Sequence, residues 1–433
     1  MSKFQLVVIG IFSLLIIVSV IIFARYKGSG VDQINVVIWG TISTADFGRI
    51  IEKTTLYNNK LLEVAYLEKD LETFDEELVE ALAAGGGPDL FLLPHDKIEK
   101  QKNKITLIPF KSFSQRAFKD SFIEGSEIYL DPEGIIALPF IVDPLVMYWN
   151  RNIFTDAKKT MPPKYWDEFY SLASEISKKD GALNISQSLV SFGEYRNVTN
   201  AKEIISTLMM QAGTPIVKKE GGIGRSVMNE SSCLKLILPP GEAAVNFYTE
   251  FGNPVKPFYS WNRSMPLSLV YFLSGDLALY FGFSSEIFDI QKKNPNLNFD
   301  VTTVPTSREP ATAECGINIS YARFYGLSIS HGSRNPNAAF AVASILTSTQ
   351  GISAVVEVLN ISPVRRDLLS QRPNDAYKSV FYDSAIRSRS WLDPDPAASD
   401  DIFARMIEDI TSGRERTSTA VSKADRELSD LFR

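Results

Sequence analysis

The chain has 433 residues, 45% of them hydrophobic, 11% aromatic and 22% charged; it is long enough for two or three compact units and too apolar for wholesale disorder. Its 45 basic against 51 acidic residues leave a net charge of −6, which a phosphate backbone repels, so nucleic acid is excluded as a partner class. Only His95, His331, Cys233 and Cys315 could supply His or Cys ligands, too few for most zinc sites, and neither a metal nor a cofactor is expected.

Residues 4–23, FQLVVIGIFSLLIIVSVIIF, run without a charge, and at about 1.5 Å per residue such a helix spans a bilayer core of ~30 Å. A cleaved signal peptide would carry a shorter apolar run and a small-residue cleavage site. The expectation is a transmembrane signal anchor with its linker over residues 1–30, the body lying outside the cytoplasm. With Lys3 on one flank and Arg25 and Lys27 on the other, the positive-inside rule does not favour exporting the body, which stands in tension with that orientation.

Asn35–Trp39 and Glu63–Tyr66 read as strands, and Leu71, Phe74, Leu78 and Leu82 mark one face of a helix. Gly85–Pro88 stops that helix, and Asp89–Leu93 follows as a short buried strand. Strand, helix, strand, helix, strand predicts a parallel sheet whose ligands collect beyond the strands' carboxyl ends, here Trp39-Gly40-Thr41 and Leu93-Pro94-His95-Asp96.

From Ile135 an extended apolar run is interrupted by Asp143-Pro144. Proline cannot donate to a ladder, so the sheet is expected to end or bend there. An unpaired dry charge costs several kcal/mol, so Asp143 should face a cleft or a partner. Trp166, Phe169, Leu172 and Ile176 form a helical stripe, and Leu277–Phe281 and Tyr325–Ser330 read as further strands. Trp149 and Trp166 fall on these patterns and are expected in a core. Gly221-Gly222-Ile223-Gly224 lacks the spacing of a dinucleotide loop and reads as a hairpin turn.

Six stretches in order, LPFIVDPLVMYWNRNIF (138–154), YWDEF (165–169), FLSGDLALYFG (272–282), VTTVPT (301–306), YGLSISHGSRNPNAAFAVASIL (325–346) and SPVRRDLL (362–369), resemble the extracellular solute-binding proteins of ABC importers, the maltose-binding-protein-like family. The resemblance implies an α/β, two-lobe periplasmic-binding-protein-like clamp with discontinuous lobes: residues 34–142 plus 283–325 in lobe one, 143–282 plus 326–433 in lobe two. It also implies a small-molecule solute, a carbohydrate first, passed to ABC permease subunits, with the membrane reached through the N-terminal helix. By the same match Cys315 and Cys233 fall in different lobes, so two free thiols are expected. Two departures stand out. Tyr165 replaces a threonine before the Trp-Asp-Glu helix, and Leu93 replaces an aromatic residue before the His-Asp pair, which points away from a maltodextrin.

The resemblance carries Trp39, Thr41, Asp96 and Asp143 to the cleft, with the carboxylates as charge-assisted acceptors for hydroxyl groups. Tyr259 and Trp261, in the aperiodic stretch Phe258–Asn262, and Trp391, in Arg389–Asp393, read as loop aromatics suited to stacking. Glu194 and Tyr195 align loosely with a ligand-contacting loop. Against each stands a bland reading as core, hinge or solvated loop. No catalytic residue is assigned. A cell-surface glycoside-active enzyme using Asp96 with Asp143, and a ligand-sensing ectodomain, stay open as alternatives.

Overall fold

The computed structural model describes residues 33–230, 238–308 and 318–433, together with positions 16, 18 and 19. The anchor expected over residues 4–23, those three positions aside, and both cysteines lie outside the described residues. Among the described residues, no single helix is long and apolar enough to cross a membrane.

Strands β1 (Ile34–Gly40), β2 (Leu62–Glu68) and β3 (Leu90–Pro94) form a parallel set in the order β2-β1-β3. Between β1 and β2 runs the helix Thr44–Glu52, whose first turn is capped by the Ser43 side chain accepting from the Asp46 N–H. The helix Phe74–Ala83 buries Phe74 and Leu78. Leu71 precedes it and stays exposed, so the predicted stripe is one residue too long. Gly85, at φ +73°, then turns the chain back to β3.

The strand Leu138–Asn150 is buried along its whole length and continues through Asp143-Pro144, so of the two expectations, an end or a bend, the end is excluded. Up to Pro144 it pairs antiparallel with the strand Ser320–Ser330; from Leu145 on it pairs with Leu277–Phe283, and from Val146 on with Phe299–Thr303. The proline sits where the ladder changes partners, the place in a central strand where a missing N–H is tolerated.

Two hydrophobic cores result. One gathers Val36–Val142 with Ala322–Leu369 and Ala385; the other gathers Leu145–Tyr321 with Phe381 and Trp391–Leu428. The lobe boundaries drawn from the sequence are therefore corrected. Residues 283–304 and Tyr321 pack in lobe two, where Phe299 and Val301 extend its sheet. The helices Pro336–Leu346 and Thr349–Leu359 pack in lobe one through Val342, Leu346, Ile352 and Val355. The chain crosses between lobes inside Leu138–Asn150 and Ser320–Ser330, and again around Ser388–Arg389, which pairs with Ser320–Tyr321.

Trp149 and Trp166 are buried in lobe two, as expected. Trp166 lies 5.7 Å from the Phe281 ring and donates from Nε1 to Gln211 Oε1 at 2.7 Å. The helix beyond Tyr165 starts at Glu168 without a side-chain cap, and the Glu168 carboxylate accepts from the Lys164 N–H at 2.9 Å, fastening the preceding turn. Val217–Glu220 and Ile223–Ser226 form the expected hairpin, with Gly221 and Gly222 supplying its two positive φ values. This lobe-two hairpin reaches lobe one, where Lys219 Nζ lies 2.8 Å from Glu99 Oε1 beside a crevice of about 490 Å³.

Candidate ligand-binding cleft

The strand directions decide where a ligand can sit. Tyr325 pairs with Pro94, so β3 points its carboxyl end at the crossing, and the next turn, His95–Lys97, lies against it. From lobe two, the parallel strands Ile185–Val190 and Leu277–Phe283 deliver the 191–200 loop and the turn Ser284–Glu286. Asp143 and Arg323 face each other in register on the two crossing strands. A cavity of about 430 Å³ opens there, lined by Tyr195, Asn200, Lys202, Glu203, Arg323 and Asp400 among others. Carboxyl ends of strands at a change of topology are the usual ligand crevice of α/β folds.

His95 is fully buried at this junction. Its Nδ1 accepts from the Phe324 N–H at 3.2 Å, so Nε2 carries the proton and meets the Tyr321 hydroxyl at 3.0 Å. Burial pushes its pKa down to about 4, with the Asp96 charge opposing and Arg323 and Lys202 adding to the shift. His95 therefore ties the crossing strand to β3 as a neutral ring.

Asp96 is half-buried, and its Oδ1 has no hydrogen-bond partner among the described residues. Its charge is felt by Lys202 and Asp393 of lobe two, which puts it at the boundary between lobes. Asp143 has a different task. It accepts from Ser284 Oγ at 2.7 Å, Ser285 N at 3.0 Å and Ser285 Oγ at 2.6 Å, so its carboxylate caps the turn after Phe283. Lys202 Nζ donates to Asp393 Oδ2 and Ser399 Oγ, each at 2.9 Å. Burial works against that ammonium most strongly, but the charge and hydrogen bond of Asp393 together with the charges of Glu203 and Asp96 hold Lys202 above its ordinary pKa.

The loop aromatics do not form stacking platforms. Trp261 is fully buried in lobe two, donating to Asn197 Oδ1 at 3.2 Å with its ring edge-on to Tyr271, which corrects its reading as an exposed loop residue. Trp391 is likewise corrected to a core residue, stacked on Phe403 and bonded to Ser206. Tyr259 is buried in the same lobe, where its hydroxyl accepts from Asn262 and its backbone carbonyl from Lys179. These three owe their burial to residues distant in sequence, which aperiodic local sequence does not reveal. Trp39 ends β1 largely buried, with Lys69 Nζ 3.9 Å from its ring centre and its Nε1 unpartnered among the described residues. Thr41 follows, half-buried.

Glu194 and Tyr195 lie beside the cavity. Glu194, its pKa raised by burial, sits 3.5 Å from Arg263, and its carbonyl accepts from the Tyr248 hydroxyl. Tyr195 lines the cavity and donates to Asp400 at 2.5 Å. Sequence reasoning passed over Arg323, Lys202 and Glu203. Arg323 had the signal that singled out Asp143: one charge inside an apolar strand, SYARFYGLSIS. No cluster of three or more His, Cys, Asp or Glu side chains among the described residues could hold a metal ion.

Two lobes with separate cores, joined by crossing strands beneath a polar cleft, define the architecture of a hinged binding protein. The sequence profile of bacterial extracellular solute-binding proteins matches residues 57–352, and the chain belongs to that family. A candidate binding protein of Brucella abortus is 22% identical over 278 residues, 63% of this chain and 61% of that one, so the match spans about three-fifths of the relative's length. The maltotriose-binding protein of Pyrococcus abyssi is 30% identical over 145 residues, 31% of this chain and 30% of its own. Among solved structures, a cyclo/maltodextrin-binding protein complexed with maltotetraose superposes with a TM-score of 0.73 at 16% identity, covering 93% of this chain and 98% of the other. The GacH receptor of Streptomyces glaucescens, described unliganded and with acarbose, gives 0.67 at 16%, covering 92% and 98%. These likenesses confirm the two-lobe fold.

Proposed function

We propose that this protein captures a hydroxylated solute of the sugar class outside the cytoplasm and hands it to an ABC permease, held at the membrane by its apolar N-terminal run. Family membership supports the solute-binding part, and the named ligands of the relatives, from maltotriose to acarbose, support the sugar class. The observation that carries the reading is the polar cavity at the lobe crossing, lined by Asn200, Lys202, Glu203 and Arg323 among others. Near it, Asp96 Oδ1, an acceptor, and Trp39 Nε1, a donor, are buried without a partner among the described residues, Trp39 among the last paired residues of β1 and Asp96 just past the end of the adjacent strand β3. A buried polar group left unmatched costs about 1–3 kcal/mol, and solute hydroxyls would satisfy both kinds.

The glycoside-active alternative needs two free carboxylates across the cleft. Asp143 is engaged by three donors from Ser284 and Ser285, which leaves Asp96 without that partner. A thermal-shift screen of the full chain against sugars, polyols, peptides and metal ions tests the reading. A sugar or polyol should raise the Tm in proportion to its concentration, since a ligand at 100 times its Kd stabilises by about 2.7 kcal/mol, and should be recovered intact. A response to peptides alone, or hydrolysis of the sugar, would overturn it. Protease added to intact cells should digest the body, and complete protection until lysis would reject the outside location.

A further inference from the structure

Three cations line the inter-lobe cavity, and two of them are committed. Lys202 is bonded to Asp393 and Ser399, and Arg196 Nε donates to Glu408 Oε1 at 2.6 Å. Arg323 differs from both. It makes no hydrogen bond among the described residues, its side chain is 42% exposed, and its nearest carboxylate, Glu203 Oε1, stands 3.7 Å away. Its guanidinium carbon lies 3.8 Å from the centre of the Phe283 ring. Phe283 ends a lobe-two strand at the crossing, so Arg323 covers the aromatic face there, as Lys69 covers Trp39 at the end of β1.

A guanidinium lying on a ring is held by the ring while its N–H edge stays free, a planar fork that matches a carboxylate in a bidentate pair. We propose that Arg323 determines specificity in this cleft, and that the solute it selects is a sugar acid, a hydroxylated ring bearing one carboxylate. The proposal rests on the reading of the cleft as a solute site and deepens it. Hydrogen bonding replaces stacking, because Trp261 and Trp391 are consumed by the core of lobe two and the Phe283 and Trp39 rings carry cations. The hydroxyls of the same ligand answer Glu203, which lines the cavity with Arg323. A single negative charge fits this setting better than a phosphate dianion, because Glu203, Asp143 and Asp96 stand close enough to act on Arg323 or on its neighbours His95 and Tyr325. Arg323, paired with Glu203 only at 3.7 Å and without a hydrogen bond among the described residues, offers its fork to one carboxylate.

The test compares D-glucuronate and D-galacturonate with D-glucose, D-galactose and glucose 6-phosphate, by thermal shift and calorimetry on the full chain, for the parent, Arg323→Ala and Arg323→Lys. A uronate should bind the parent about tenfold or more tighter than its neutral counterpart, and more weakly as salt is raised. Arg323→Ala should abolish that preference, and Arg323→Lys, which keeps the charge but loses the fork, should restore only part of it. Neutral sugars binding the parent and Arg323→Ala alike, or the phosphate binding best, would overturn the role of Arg323 while leaving sugar capture intact. No response to any sugar, neutral or acidic, would overturn both readings. Unliganded Tm values of the three proteins separate loss of recognition from loss of folding.

Discussion

Lobe one packs mainly aliphatic side chains, with Val36, Ile38, Ile50, Leu78, Leu90 and Leu92 at its centre, whereas lobe two packs Trp166, Phe169, Phe192, Phe251 and Phe281 face to face and edge to face. Of the five tryptophans in the chain, Trp149, Trp166, Trp261 and Trp391 all lie in the core of lobe two. Aromatic abundance in a member of a solute-binding family invites a stacking interpretation, yet here it is spent on the scaffold. The cleft between the lobes is built from charges and amides instead. On the proposed reading of the cleft, recognition and packing are divided between different side-chain chemistries.

That contrast can be broken most sharply at Trp261. If it belongs to the core, Trp261→Ala should destabilise lobe two by about 3–5 kcal/mol, read as a lower urea midpoint for one of two unfolding transitions while lobe one is unaffected. In lobe one, Ile50→Val should cost only about 0.5–1.5 kcal/mol, because a single methylene is lost from an aliphatic contact. A stable Trp261→Ala protein would return that residue to the cleft.

His95, at the junction, gives the next effect. Its pKa falls from 6.5 to about 4 in the folded chain because burial disfavours the charged ring. The unfolded chain therefore takes up a proton below pH 6.5 that the folded chain refuses until about pH 4. The stabilisation is fully present above pH 6.5 and is lost as pH falls through the folded value, about 3 kcal/mol in all. Urea midpoints measured between pH 7 and pH 4 should show this slope, and His95→Gln should flatten it. An unchanged slope in His95→Gln would assign it to other groups.

The smallest effect concerns the contact between lobes. Lys219 of the lobe-two hairpin pairs with Glu99 of lobe one, both side chains mostly sheltered. Lys219→Ala should change the unfolding free energy by about 1 kcal/mol or less but broaden the distribution of inter-lobe distances. Equal breadth in parent and variant would show that the pair does not link the lobes.

Much of the scaffold could be read from local pattern, because β1, β2, β3 and the Gly221-Gly222 hairpin depend on near neighbours for their period and turn chemistry. Lobe membership could not. A crossing strand such as Ser320–Ser330 is apolar on both sides of the crossing, so its sequence does not mark where one core yields to the other. Asp143 was conspicuous as a charge in an apolar strand, but its partners Ser284 and Ser285 lie far along the chain, and only the fold distinguishes a turn cap from a ligand contact. Arg323 carries the same local signature in the facing strand and became conspicuous once the register paired the two. Trp261 was misread because an aperiodic segment packed under a distant Asn197 looks, in sequence, like a loop.

The account stands or falls on hinged closure over a solute in the polar cleft. The direct measurement is a pulsed electron–electron resonance distance between spin labels at exposed positions, Lys111→Cys in lobe one and Val255→Cys in lobe two, with the native cysteines replaced by serine. It would be made without solute and with a saturating sugar that raises the Tm. A shorter and narrower distance distribution on binding is the predicted result; binding that leaves the distribution unchanged would contradict it.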